Sequence, residues 1–162
     1  MQPLYRIIDE FDPLRVLVQI SPTTDDNLRA YLDEQLVEMR ANLARGKRTI
    51  VVIDASMGMR PTATQRKLQA DWINDHAALL GASCLGIAFV IPSPLVRGAL
   101  TAIFWVAQMP IPHTVHGTLS QAVGWATARL DEFGVELPAK LRKHGAAALA
   151  LEVAEARTQT AG

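Results

Sequence analysis

LGIAFVIPSPLVRGALTAIFWVAQM, residues 85–109, holds two elements in one string. Leu85–Ile91 is an unbroken apolar run rich in branched side chains, the pattern of a strand buried on both faces of a sheet. Ser93-Pro94 then signals a helix start, a capping hydroxyl followed by proline at the first helical position. From there to Met109 the pattern is helical, and only Arg97, Thr101 and Gln108 are clearly polar. At about 100° per residue those three fall within roughly 40° of one another. Phe104 projects into the same sector and Trp105 sits at its edge. A helix packed on one side of a core has no need of aromatics on its wet side. The face bearing Arg97, Leu100, Thr101, Phe104, Trp105 and Gln108 is therefore expected to be a contact surface. The simplest partner is a second copy of the chain, giving a homodimer. The alternative cover is the C-terminal segment, folding back through Leu149 and Val153.

The rest of the chain supplies more units of the same kind. Leu4–Ile8 and Leu14–Ile20 are partly alternating apolar runs with the turn signal Asp12-Pro13 between them, which predicts a hairpin. Ser21–Asp26 is a dense helix-start region. Leu28, Tyr31, Leu32, Leu36, Met39 and Leu43 follow at helical spacing, and Gly46 stops the helix. Thr49–Ile53 is a second doubly buried strand, ending at Asp54-Ala55-Ser56. A helix is predicted from Thr62 to about Leu80, ended by Gly81. The helix from Pro94 is broken by Pro110-Ile111-Pro112, and His113–His116 is a short strand. A last helix, capped by Ser120, carries Ala122, Val123, Ala126 and Leu130. The order ββαβαβαβα predicts one α/β domain, a four- to five-stranded mixed sheet with packed helices, over residues 1–137. Residues 138–162 are an alanine-rich C-terminal helix or tail. A surface helix is expected there from about Ala146 to Ala156, docking weakly through Leu149 and Val153 and fraying at its end.

Composition narrows the function classes. The chain has 162 residues, with 16 Lys plus Arg against 16 Asp plus Glu, so its formal net charge is zero. A nucleic-acid partner is not expected from that balance. No apolar stretch reaches the ~18 residues that span a bilayer, and MQPLYRIIDEF lacks the layout of a secretion signal. A soluble cytoplasmic protein is the expectation. The one cysteine, Cys84, opens an apolar run and reads as a small buried residue.

Catalytic motifs are absent. There is no G-x-S-x-G elbow, no phosphate-binding loop and no dinucleotide turn, so no catalytic residues, metal or cofactor are predicted. His113 and His116 are on a strand at a spacing that turns their rings to opposite faces, which precludes a shared metal. Asp54 ends a buried strand, where phospho-accepting carboxylates often stand in α/β folds. With Asp9-Glu10 it resembles, over a few residues, a response-regulator receiver domain. An extra strand follows at once where a receiver has its first helix, and no lysine occurs between Lys67 and Lys140. Asp54, Ser56, Arg60 and Thr62 together form a candidate phosphosite or ligand site. Thr62 alone reads as the N-cap of the helix that follows it.

The strings VVIDAS (51–56), GIAFVIPSPLVRGALTAIFW (86–105) and the Gln121-Ala122-Val123-Gly124-Trp125 helix have a further implication. With the helix start at Pro61-Thr62, they resemble the STAS-like domains, of the sulfate-transporter and anti-sigma-factor-antagonist type in their broader bacterial form. The resemblance covers about residues 4–133. It implies a non-enzymatic regulatory module that works through protein contacts, sometimes switched by phosphorylation after the third strand. The Asp-Ser-Ser-Gly string of the antagonists is replaced here by Arg60-Pro61-Thr62-Ala63. Related domains bind lipid-like ligands, so the resemblance also allows a small-molecule or lipid carrier, or a small enzyme, with a pocket near Asp54.

Overall fold

A computed structural model describes residues 1–159. In chain order the elements are β1 (Tyr5–Ile8), β2 (Leu14–Gln19), α1 (Asp25–Ala44), β3 (Thr49–Asp54), α2 (Ala63–Asp75) and α3 (Ala77–Ser83). They continue with β4 (Cys84–Val90), α4 (Pro94–Ala107), β5 (His113–His116), α5 (Leu119–Glu132), α6 (Ala139–His144) and α7 (Ala146–Thr158). One five-stranded mixed sheet has the order β1-β2-β3-β4-β5. Only the β1–β2 hairpin is antiparallel; β2 to β5 run parallel, with Leu17, Ile53, Phe89 and Val115 in neighbouring register.

The strand order explains where the helices lie. From β2 to β5 every crossover steps one strand in the same direction. Crossovers are right-handed, so α1, α2, α3 and α4 must all cover the same face. The opposite face is left to the chain beyond β5, and α5, α6 and α7 cover it. Both faces of β2, β3 and β4 are thereby largely buried, as the continuous apolar runs of β3 and β4 require, while the edge strand β5 stays partly exposed. On the α5 side, Val16, Val18, Ile50, Val52, Ala88 and Val90 meet Ala122, Val123, Ala126 and Leu130. On the α4 side, Val51 and Ile87 face Met39, Ala70, Ile73, Leu80, Ile103 and Ala107. Gly86 permits a close approach on the α5 side: a Cβ there would stand 2.7 Å from Cη2 of Trp125. Gly46 ends α1 at φ +65°, the conformation a side chain disfavours.

Several expectations differ from the structure. The helix expected from Thr62 to Leu80 is two helices, broken at His76. The break lets α2 lie along α4 while α3 turns onto α1. Gly81 does not end the second of these; it lies inside α3, which runs to Ser83. The last helix of the sheet domain is capped by Thr118, in extended conformation, whose hydroxyl accepts from the Gln121 N–H; Ser120 lies inside the helix. The C-terminal segment does not dock weakly. Leu141, Leu149, Val153 and Ala156 are part of the larger core cluster, and Leu149 is fully buried. The helix expected to end and fray near Ala156 runs on to Thr158; residues 160–162 lie outside the described residues.

Candidate functional site

Helix α4 is anchored at its start by Ser93, whose Oγ accepts from the Val96 N–H at 3.4 Å. Ala99, Ile103 and Ala107 form its buried stripe, and α2 is the element it packs along. The six residues expected on its contact face divide. Arg97 turns back, donating to the carbonyls of Ile91 and Pro92 at 2.9 Å each, and so closes the end of β4. Leu100 and Phe104 are half-buried against the core, with the Phe104 ring between Phe89 (5.3 Å) and His113 (4.6 Å). Thr101, Trp105 and Gln108 face solvent. The Thr101 hydroxyl is satisfied by the Arg97 carbonyl at 3.0 Å, and Gln108 caps the helix in the left-handed conformation, φ 48°.

The exposed sector turns away from the polar strip toward Leu95, Gly98, Ala102 and Val106, and spans about 160° at ~100° per residue. It carries Leu95, Trp105 and Val106 at 65%, 84% and 70% exposure. Leu95 and Val106 escaped sequence reasoning because nothing in an almost wholly apolar helix distinguishes its buried stripe from its outer one. The C-terminal segment does not cover this face, since α7 lies across the sheet from it, against β2 and α5. Beside the exposed sector, Thr101, Phe104, Trp105, His113, Thr114 and Val115 line a shallow groove of about 460 Å³. Its floor is β5, whose outer edge has no further strand.

Asp54 lies on the other side of the sheet. Its side chain is 1% exposed and forms an ion pair with Arg157 of α7. Its Oδ1 accepts from the Ser56 N–H at 3.0 Å and the Ser56 hydroxyl at 2.5 Å, and Arg157 also donates to that hydroxyl at 3.1 Å. Arg157 carried no sequence signal, since it stands over a hundred positions from its partner. Thr62 caps α2 through a reciprocal box with Gln65, at 3.1 and 3.0 Å. Gln65 also donates to Asp25 and to the Thr23 carbonyl, tying the starts of α2 and α1 together. Arg60 is exposed, and among the described residues no hydrogen bond or ion pair joins it to Asp54, Ser56 or Thr62. Asp54 and Ser56 therefore belong to an ion pair with Arg157, Thr62 to a helix cap, and Arg60 to neither.

The aromatic-lined pocket of the molecule is elsewhere, half open to solvent, and Asp54 does not line it. A cavity of about 170 Å³ lies between the sheet and helices α1, α2 and α4. Tyr5, Tyr31, Trp72, Phe89 and Phe104 line it, and Ile53 and Ala55 flank Asp54 on that side. Burial raises both phenols above their ordinary value, and pushes the Cys84 thiol up to about 11. The Trp72 Nε1 is buried without a hydrogen-bond partner. On β5, His113 Nδ1 is 3.1 Å from the Ile111 carbonyl and His116 Nε2 is 3.2 Å from the Thr114 hydroxyl. Partial burial lowers the His116 pKa. Among the described residues no cluster of three His, Cys, Asp or Glu is arranged to hold a metal. No helix there is long and apolar enough to cross a membrane.

No protein-family model matches this chain, and no curated protein matches it in sequence.

Proposed function

We propose that this chain is a non-enzymatic regulatory module of STAS-like type that works through protein contact at α4, and that its simplest partner is a second copy of itself. The carrying observation is the exposure of Leu95, Trp105 and Val106 on one uncovered helix. Burying each contributes about 1.5–3 kcal/mol by apolar transfer, and tryptophan is the side chain that most often anchors interfaces. A two-fold axis across α4 would pair the patch with itself and shield the open edge of β5. The winding of the sheet, with its helices segregated by crossover direction, is compatible with the STAS-like resemblance. The sealing of Asp54 under Arg157 counts against a receiver-like phospho-acceptor.

Proton–nitrogen correlation spectra recorded from micromolar to millimolar protein test this reading. Concentration-dependent shifts concentrated in 95–108, with the α5–α7 side unchanged, are expected. Spectra that do not change over that range contradict self-pairing.

A second reading, a small-molecule carrier, is favoured by the aromatic cavity. It differs from the pocket expected near Asp54 in lying across the sheet from that carboxylate.

A further inference from the structure

The cavity between the sheet and helices α1, α2 and α4 has three properties that specify an occupant. The first is charge. Among the described residues its lining has no Lys, Arg, His, Asp or Glu; its polar members are Gln19, Thr23, Gln35, Gln69, the two tyrosines, Trp72 and Cys84. An anion or cation entering it would lose hydration with no charged group in the lining to replace it, a cost of several kcal/mol, and the Arg15 guanidinium behind the lining is already paired with Asp9 and Glu38. Phosphates, nucleotides and ionised carboxylates are disfavoured on that ground. The second is size. About 170 Å³ is close to the ~150 Å³ of an engineered apolar cavity that binds benzene in another protein. That space suits one or two rings, and its mouth, beside the exposed Met59, opens to solvent. The third is a wall of rings to which Trp72 contributes; its Nε1 is buried away from the space, so the contact it offers is the ring and not the N–H.

The lining is also aromatic. The Tyr5 and Tyr31 rings touch at 4.6 Å, and Trp72, Phe89 and Phe104 complete a wall suited to stacking or edge contact with a flat molecule. Helix α4 forms the outer boundary through Val96, Leu100, Ile103 and Phe104. It packs along α2 and meets β4 through Phe104 and Phe89, whose rings lie 5.3 Å apart.

We propose that this cavity is a binding site for a compact, uncharged, largely aromatic molecule of one or two rings. The proposal stands on the cavity alone and does not depend on the dimer.

Three probes of known chemistry test it with the full chain: methyl naphthyl ketone, neutral with a carbonyl acceptor; naphthoate, of similar size but charged; and palmitate, long and apolar. Binding is read from the indole N–H resonance of Trp72, assigned with Trp72→Phe, and from the rise in Tm. The ketone is expected to move that resonance and raise Tm, and naphthoate to bind at least about tenfold more weakly. Trp72→Ala removes one ring of the wall, so it should weaken the ketone and unsubstituted naphthalene alike, each by about threefold or more. Ile87→Trp fills the cavity from β4 and should abolish ketone binding while the remaining resonances keep their dispersion. If that variant does not fold, the Trp72→Ala comparison decides alone. The proposal is overturned if the ketone fails to bind up to its solubility, if naphthoate binds as tightly, or if palmitate is preferred. It is also overturned if Trp72→Ala leaves the affinity for both ring probes unchanged.

Discussion

Gly86 is fixed by a neighbour far along the chain. Its absent side chain leaves room for Trp125 of α5, and a Cβ would also stand 3.0 Å from the Pro112 carbonyl. Gly86→Ala should therefore destabilise the fold by about 1–3 kcal/mol in urea denaturation, as overpacking of a rigid contact does. The Asp54–Arg157 pair has a similar logic with charge. Arg157→Ala leaves a buried carboxylate with only Ser56 to satisfy it, and a loss of roughly 1–3 kcal/mol is expected; the exposure of the guanidinium limits it. Tyr5 and Tyr31 give the pH response. Burial is the first cause of both raised phenol values, and for Tyr31 the neighbouring Tyr5 adds to it. The folded chain thus holds those protons beyond the pH at which unfolded tyrosines ionise. The contribution is complete below about pH 10 and is lost as pH rises above it. Urea midpoints measured from neutral pH to about pH 11 should fall, and Tyr31→Phe should flatten the fall. At this scale the sequence was legible where the determinant is local. The Thr62 cap and the Gly46 stop are of that kind. The partners of Gly86 and Asp54 were not, because both contacts are made by the fold.

At the scale of elements, apolar runs identified β1 to β4 and most helices, because a doubly buried parallel strand must be continuously apolar; β5, HTVH, is not such a run. The break at His76 left no such mark. Apolar spacing continues from Ile73 to Leu80 across it, and no proline or glycine stands at it; the turn is imposed by α1 and α4 competing for α2 and α3. Helix α7 was underestimated for a related reason. Its alanines give it almost no amphipathic contrast, yet Leu149, Val153 and Ala156 fill a face of the sheet that the crossovers cannot cover. Leu149→Ala is expected to cost about 2–5 kcal/mol, a core value rather than a tail value, measurable by urea denaturation. A change confined to tail packing would be several-fold smaller. Helix α4 shows the opposite case. Its excess of apolar residues was plain, but the angle at which it sits was not, since Ala99, Ile103 and Ala107 rather than its larger side chains make the close contact. Phe104, counted outside from the helical wheel, is consequently half-buried beside Phe89 and His113.

For the whole molecule, one topological fact organises the rest. Because the chain winds in one direction from β2 to β5, four helices share a face and none reverses the order. The sheet therefore has no switch-point crevice between its central strands, where open α/β folds commonly bind ligands. Its aromatic-lined, half-open pocket lies between layers instead, and an exposed apolar surface lies on the outermost crossover helix. The central claim is that this surface is an interface. Trp105 is 84% exposed, so Trp105→Glu should leave the stability of the isolated subunit within about 0.5 kcal/mol. The decisive measurement is solution mass by sedimentation equilibrium, on the intact chain and on Trp105→Glu side by side. The account predicts twice the 17.7 kDa subunit mass for the intact chain and a single subunit mass for the folded variant. An intact chain that stays at one subunit mass at every concentration, or a Trp105→Glu variant that pairs as tightly as the intact chain, would contradict it.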